Sequence, residues 1–225
     1  MDQETFDKQF AEFKENNDGR FHVQLSYRGA VLNEDTPSMS FDFDYLVFCG
    51  WAARRLWEAR PARHVDIGSY PFFAACAAPM AGSFEFYDLR PISAPIRGLT
   101  CGAADLTCLP FPDGSVESLS CLHALEHVGL GRYGDKLDVR GDVAAAAELH
   151  RVLAPGGQLL LVVPMCNPPF IGFNDARRYG YGQVMDLFPA MAVEEYTRIA
   201  NWTITYDAKS GFCGHSCGCF RLRKK

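Results

Sequence analysis

No apolar run in this chain approaches the roughly 20 residues needed to cross a bilayer. The longest, residues 70–82 and 159–165, are too short. The opening MDQETFDKQF alternates charge and lacks the apolar core of a secretory signal, so the expected location is cytoplasmic. There is no excess of basic residues: 22 Lys+Arg stand against 27 Asp+Glu, a net charge of -5. Binding a nucleic-acid backbone needs a basic surface, so neither nucleic acid nor membrane is the expected partner. Internal repeats and low-complexity tracts are absent. Cysteine is not scarce, at 9, but the count is odd and scattered. Without an export signal these read as free thiols in a reducing compartment. Paired metal-ligand spacing is missing too. Cys213, His215, Cys217 and Cys219 crowd together, whereas zinc sites use C-x₂₋₄-C with a second pair elsewhere. Cys217 and Cys219 read as one face of a strand, and no metal is expected.

What is present fits one domain with an extension: 225 residues, 48% hydrophobic and 22% charged. The first 60 residues predict a polar helix over 6–13, a strand over 21–27, a loop over 33–38 and a helix over 45–59 stopped by Pro61. They form an expected N-terminal cap on a domain spanning 61–225. From His64 the rhythm becomes strand, helix, strand. Strands are expected at 64–67, 84–88, 99–103, 116–122 and 158–163, and again at 192–199 and 217–222. Helices are expected at 72–80 and at 142–153, the latter capped by Asp142 and ended by Pro155-Gly156-Gly157. QLLLVV is continuous, as in a strand buried on both faces. The alternation predicts an α/β fold with a doubly wound, mostly parallel sheet.

Ligands of such sheets sit beyond the carboxyl ends of the strands. The first strand delivers Asp66, then Gly68, where the backbone can turn tightly, and Ser69. The second delivers Asp88 and Leu89, a carboxylate placed to accept hydrogen bonds from both ribose hydroxyls. The third unit delivers Asp105, an acceptor for an adenine amino group, and Leu106, which can pack on the ring. The fourth delivers Cys121, Leu122 and His123, then Glu126 and His127. Each aspartate alone reads equally as a turn or helix cap. Three in register after three successive strands point to a nucleoside.

The order DIGSY, YDLRP, ADLTCLPFPDGSVESLSCLHALEHV, ELHRVLAPGGQLLLVVP resembles a class I S-adenosylmethionine-dependent methyltransferase over residues 64–165. FDFDYLVFCGWAARRL, HVDIGS, LHALEHVGLGRYGD and FNDARRY are similar to an uncharacterised domain-of-unknown-function family within that superfamily. The resemblance implies a seven-stranded Rossmann-like sheet, S-adenosylmethionine as cofactor and S-adenosylhomocysteine as product. It implies methylation of oxygen or nitrogen on a small-molecule acceptor. By it, Asp66, Gly68 and Ser69 hold the methionine end, Asp88 and Leu89 the ribose, and Asp105 and Leu106 the adenine. Cys121, Leu122 and His123 would floor the sulfonium site. Two positions depart from the pattern. Tyr70 and Phe72 stand where the superfamily loop has further glycines, and Ala176 stands where the closer family tends to have histidine.

Arg132 and Tyr133 in the glycine-hinged loop, and Asn174, Arg177 and Tyr179 after the fifth strand, are expected to meet the substrate. The GLGRYG segment follows no strand and opens no helix, so it is not a dinucleotide fingerprint. His127 is the expected general base, with His123 as a second candidate and Glu126 as orienter. Two alternatives stand beside the enzyme: a non-catalytic or repurposed binding module of the same fold, and a zinc hydrolase using His123, Glu126 and His127 in an H-x-x-E-H pattern.

Overall fold

The computed structural model describes the chain apart from residues 27–28, 34–35, 201 and 207–213 and the side chains of 214–215. The chain divides into two compact units, Met1–Phe41 and Asp42–Lys225. In the first, helix α1 (Gln3–Glu15) is capped by Asp2, whose side chain accepts from the Thr5 amide. Residues 21–26 form no strand, contrary to the alternation; Tyr27 lies outside the described residues. The pattern is weak because Phe21 and Leu25 are both exposed and have no sheet to pack on.

The second unit begins with α2 (Phe43–Ala59). Asp42 caps it by accepting from the Tyr45 amide at 3.0 Å, and Arg60 ends it in the left-handed region. Its inner face buries Phe48, Trp51, Ala52 and Leu56, at helical spacing. Burying Phe48 and Leu56 is worth about 1.5–3 kcal/mol each. This stripe explains why the division falls at Phe41/Asp42 instead of the expected residue 60: α2 belongs with the sheet it covers.

The sheet comprises β1 (Arg63–Ile67), β2 (Ser83–Asp88), β3 (Leu99–Ala103), β4 (Val116–Leu122), β5 (Leu153–Asn167), β8 (Met191–Ala200), β9 (Thr203–Tyr206) and β10 (Gly214–Lys224). A separate hairpin pairs β6 (Phe170–Gly172) with β7 (Ala176–Arg178). The strand order is β3-β2-β1-β4-β5-β10-β8-β9. The first five are parallel; β10 is antiparallel to both β5 and β8, and β9 to β8. The doubly wound α/β expectation holds, with eight strands instead of seven. The extra strand is β9, which returns from β8 at the sheet edge.

Helices α3 (Pro71–Ala77), α4 (Gly141–Val152) and α5 (Tyr181–Leu187) complete the layers. Two apolar clusters form, one involving α2 and α3, the other α4 and α5. The cap of α4 is Arg140, not Asp142, which lies inside the first turn. Pro155-Gly156-Gly157 does not separate α4 from β5; it lies within β5, beside an irregularity in the β4–β5 register. Strand order reverses between β1 and β4, and the crevice beyond their carboxyl ends is the switch point.

Candidate functional site

At the switch point β1 ends in Asp66-Ile67-Gly68. Gly68 has φ +72°, and a Cβ there would come within 2.7 Å of the Ala124 Cβ. Its amide donates to the Tyr87 carbonyl at 2.7 Å, tying the turn to β2. Pro71 opens α3, where its missing amide proton costs no hydrogen bond. Tyr70 and Phe72 are 51% and 70% exposed, and the Tyr70 ring meets the Tyr45 ring edge-on at 5.8 Å.

Asp66 is fully buried. Its Oδ1 accepts from Ser69 Oγ at 2.6 Å and from Ser120 Oγ of β4, while Oδ2 has no partner. Burial without a counter-charge pushes this carboxyl up to about 7.

Asp88 ends β2, and its Oδ1 accepts from the Arg90 amide at 2.7 Å. The Asp105 Oδ1 accepts from the amide and hydroxyl of Thr107, so this carboxylate also pins its own turn. Asp88, Leu89, Asp105 and Leu106 line one cleft with Gly68, His123 and His127. A neighbouring depression adds Ser69, Tyr70, Leu122 and Tyr45 along shared Gly68, Asp88 and Tyr133. Of the expected nucleoside residues, all but Asp66 and Cys121 line these two depressions. Asp66, fully buried, lines neither, and nor does Cys121. Cys121 is fully buried within the cluster on the opposite sheet face, because it alternates with Leu122 along β4.

After β4, His123 adopts φ +59° and a short 3₁₀ turn carries Leu125–His127. His123 stacks with Tyr45 and Phe48, with ring centroids 5.5 and 4.9 Å away. Its Nε2 lies 2.9 Å from Cys217 Sγ, and its Nδ1 lies 2.7 Å from Glu126 Oε1, out of hydrogen-bond alignment. Its Nε2 is thus engaged, while its Nδ1 faces the Glu126 carboxyl group without an aligned hydrogen bond. Burial pushes the Cys217 thiol well above its ordinary range. His127 differs. Its Nδ1 lies 2.6 Å from the Asp175 carbonyl oxygen, an acceptor, so Nδ1 carries the proton. That leaves Nε2 as a lone pair, 3.7 Å from Glu126 Oε1. Glu126 is fully buried between the two imidazoles.

The glycine-hinged loop closes on Asp135, which accepts from the amides of Gly129, Gly131 and Tyr133. It presents Tyr133 to the cleft, edge-on to His127, with the Arg90 guanidinium 4.0 Å above its ring. Arg132 instead binds the Asp175 carbonyl and carboxylate at 3.3 and 3.2 Å.

Three expected substrate residues do not reach this cleft. Arg177 is 4% exposed and donates to the carbonyls of Glu126, Val128, Asp138 and Val139, besides pairing with Asp142 at 3.5 Å. Tyr179 donates to Asp142 at 3.1 Å. Asn174 occupies the exposed turn between β6 and β7. Buried groups that hold a loop are as polar in sequence as groups that hold a ligand. Among the described residues no group of three His, Cys, Asp or Glu is arranged for a metal, His123, Glu126 and His127 included. Cys213 lies outside the described residues. Sequence reasoning missed Arg90, Tyr45, and the buried His64, Ser118 and Ser120 behind Asp66. The period-2 placement of two serines on β4 beside a strand-end aspartate was the available signal.

Residues 114–210 match a family described as a Caenorhabditis protein of unknown function, DUF268. That stretch contains LHALEHVGLGRYGD and FNDARRY. No curated protein matches the chain. Among solved structures, the chain is similar to the N-methyltransferase NodS from Bradyrhizobium japonicum WM9 in complex with S-adenosylhomocysteine. Identity is 15%, the TM-score 0.57, with 85% of this chain and 89% of that chain covered. It is similar to the Burkholderia thailandensis 1,6-didemethyltoxoflavin-N1-methyltransferase at 15% identity and TM-score 0.57, covering 79% and 78% of the two chains. It is also similar to the [4+2]-cyclase SpnF at 13% identity and TM-score 0.55, covering 77% and 80%. At these identities the likeness is one of fold, and the fold is that of class I S-adenosylmethionine-dependent methyltransferases.

Proposed function

We propose that the protein is an S-adenosylmethionine-dependent methyltransferase acting on oxygen or nitrogen of a small molecule. The observation that carries this reading is a cleft at the ends of three adjacent parallel strands, lined by Gly68, Asp88 and Asp105. The residues fit the cofactor. Asp66 Oδ2 is a buried, orphaned acceptor that a ligand ammonium would satisfy, and the Gly68 turn leaves backbone exposed to a close approach.

On this reading Asp66, Gly68 and Ser69 hold the methionine end. Asp88 and Leu89 hold the ribose, Asp105 and Leu106 the adenine, and Leu122 with His123 floors the sulfonium site. S-adenosylmethionine supplies an electrophilic methyl group, leaving S-adenosylhomocysteine. The chain supplies proximity, orientation and exclusion of water. His127 Nε2 takes the proton that an O–H or N–H acceptor must lose, and the buried Glu126 carboxylate steadies the resulting imidazolium. Tyr133 walls the acceptor side; Arg132 holds the Tyr133 loop against Asp175. The net charge favours a small molecule over nucleic acid. The free cysteines suit the cytoplasm, whose thiols stay reduced.

Calorimetric titration with S-adenosylhomocysteine tests the site. Micromolar binding is expected, weakened roughly tenfold or more in Asp88→Ala by loss of a charged acceptor. Absence of binding to the native chain overturns the reading. A second reading, a repurposed binding module, is favoured by the cyclase that shares this fold and by Ala176. It predicts binding of S-adenosylhomocysteine with no transfer of labelled methyl groups across a broad panel of acceptors.

A further inference from the structure

Arg132 and Arg177 are spent on the protein itself: the first binds the Asp175 carboxylate, the second the carbonyls of a loop. Arg90, just after β2, is not. Its backbone amide donates to Asp88, but among the described residues its guanidinium donates no hydrogen bond. The nearby carboxylate oxygen, Asp88 Oδ1, lies 3.8 Å from Arg90 Nε and already accepts the Arg90 amide at 2.7 Å. The side chain rests instead on Tyr133, with the guanidinium carbon 4.0 Å from the ring centroid. Contact with a ring face leaves the N–H donors of the guanidinium fork unused.

Arg90 lines both the cleft and its neighbouring depression, and among the described residues that do so it is the only lysine or arginine. The rest of the neighbouring depression is rich in rings. Tyr45 meets Tyr70 edge-on at 5.8 Å and stacks on His123 at 5.5 Å, and Tyr133 meets His127 edge-on at 5.4 Å. Such walls favour a flat aromatic ligand, whose faces and edges find complementary charge. Tyr133 touches both Arg90 and His127, so a molecule one ring long, with its substituents, spans the cation and the candidate base. A guanidinium fork matches the two oxygens of a carboxylate. A phosphate dianion would call for a second cation, and the lining supplies none.

We propose that the methyl acceptor is a one-ring aromatic carboxylate bearing a hydroxyl or amino group, and that Arg90 is the specificity residue that pairs with its carboxylate. The inference rests on the methyltransferase reading above and deepens it. The ring lies among Tyr45, Tyr70 and Tyr133, and the hydroxyl or amino group meets His127. The carboxylate is the part that is held, so the nucleophile is the ring substituent. Its oxygen or nitrogen forms the bond to the methyl carbon as the carbon–sulfur bond breaks, the electron pair staying on sulfur, and its proton passes to His127 Nε2. The Arg90–carboxylate pair is neutral, so the acceptor's charge is not left uncompensated beside Asp88.

The probes are the hydroxybenzoates and aminobenzoates, each paired with its neutral benzamide, and lactate as a hydroxy acid without a ring. Calorimetry on the chain saturated with S-adenosylhomocysteine reads binding, and labelled S-adenosylmethionine reads transfer. At least one benzoate should bind about tenfold or more tightly than its benzamide and than lactate, and should accept the labelled methyl group. Arg90→Met should lower kcat/KM for that benzoate roughly 10- to 100-fold, the usual worth of hydrogen bonds to a charged group. The benzamide and S-adenosylhomocysteine should each stay within about twofold. Arg90→Lys keeps the charge without the fork and should recover only part of the loss. Arg90 is exposed, so both variants should fold. Equal binding of acid and amide by the native chain overturns the inference and leaves the cofactor reading intact. So does failure of every benzoate to bind a chain that holds S-adenosylhomocysteine. If Arg90→Met weakens S-adenosylhomocysteine but spares 5′-methylthioadenosine, which lacks the amino acid, Arg90 serves the cofactor's own carboxylate and the inference is also overturned. Failure of S-adenosylhomocysteine to bind the native chain removes both readings together.

Discussion

His127 Nδ1 lies 2.6 Å from the carbonyl oxygen of Asp175. A residue just after β4 is thereby locked to the turn between β6 and β7, and its tautomer is set by a backbone group 48 positions away in sequence. The same turn binds Arg132, so one short hairpin orients both the candidate base and the loop that carries Tyr133.

If His127 Nε2 is the base, His127→Gln should lower the methyl-transfer rate by roughly 10²- to 10⁴-fold, the usual worth of general-base catalysis. Affinity for S-adenosylhomocysteine should stay within about twofold, since the imidazole is not assigned to hold it. Stopped-time assays with labelled methyl donor and a reactive acceptor, alongside calorimetry, separate the two. An unchanged rate would remove His127 from the chemistry.

Gly68→Ala should damage both fold and site. The residue sits at φ +72°, and its new Cβ would meet the Ala124 Cβ at 2.7 Å. Strain of this kind costs about 1–3 kcal/mol, and relief requires the 123–124 backbone to move away from the cleft. Urea denaturation should show the loss of stability, with weaker nucleoside binding in the fraction that folds.

Arg177→Ala should act on stability and not on substrate affinity. The guanidinium serves four backbone carbonyls, and its removal also leaves Asp142 buried without its cation. Breaking such a buried arrangement costs about 3–5 kcal/mol. Chemical denaturation should show a loss of that order. A normal midpoint with a raised KM would restore Arg177 to the substrate site.

The pH dependence of stability has two opposing parts. His64 is lowered to about 3 in the fold from an ordinary 6.5. As pH falls below about 6.5 the unfolded chain takes a proton that the folded chain refuses, so stability is lost toward acid. Asp66 is raised to about 7 from 3.8. Between those values the folded chain keeps a proton that the unfolded chain has shed, so this contribution is lost as pH rises toward 7. His64→Gln should leave the second slope alone, with stability falling as pH rises from about 4 to about 7. Asp66→Asn should leave the first, with stability rising over the same window. Urea midpoints at several pH values in that window would show the two variants tilting in opposite directions, or refute the assignment.

Much of this molecule is legible from periodicity. Strands β1 to β4 fall close to where the alternation of apolar runs and glycine turns puts them, because each run is short and bounded. Asp66, Asp88 and Asp105 were readable as neighbouring strand-end carboxylates because a parallel sheet delivers every strand end to the same edge. Strand-end spacing says nothing about orientation, however. Cys121 and Leu122 are adjacent in sequence and face opposite layers. Arg177 and Tyr179 look like ligand-binding residues until the carbonyls and the Asp142 carboxylate they serve are known.

The sequence by itself determined the layered α/β architecture, the glycine turn after β1 and the row of carboxylates, since all three follow from local pattern and strand direction. Tertiary structure alone decided that His127 Nδ1 meets the Asp175 carbonyl, that Arg177 serves loop carbonyls, and that hydrogen bonds link Gln158, Ser118, His64 and Ser120 to Asp66. Those properties depend on partners 38 to 56 positions apart brought together by strand pairing and loop closure. No local pattern encodes which neighbour consumes a polar group's last donor or lone pair.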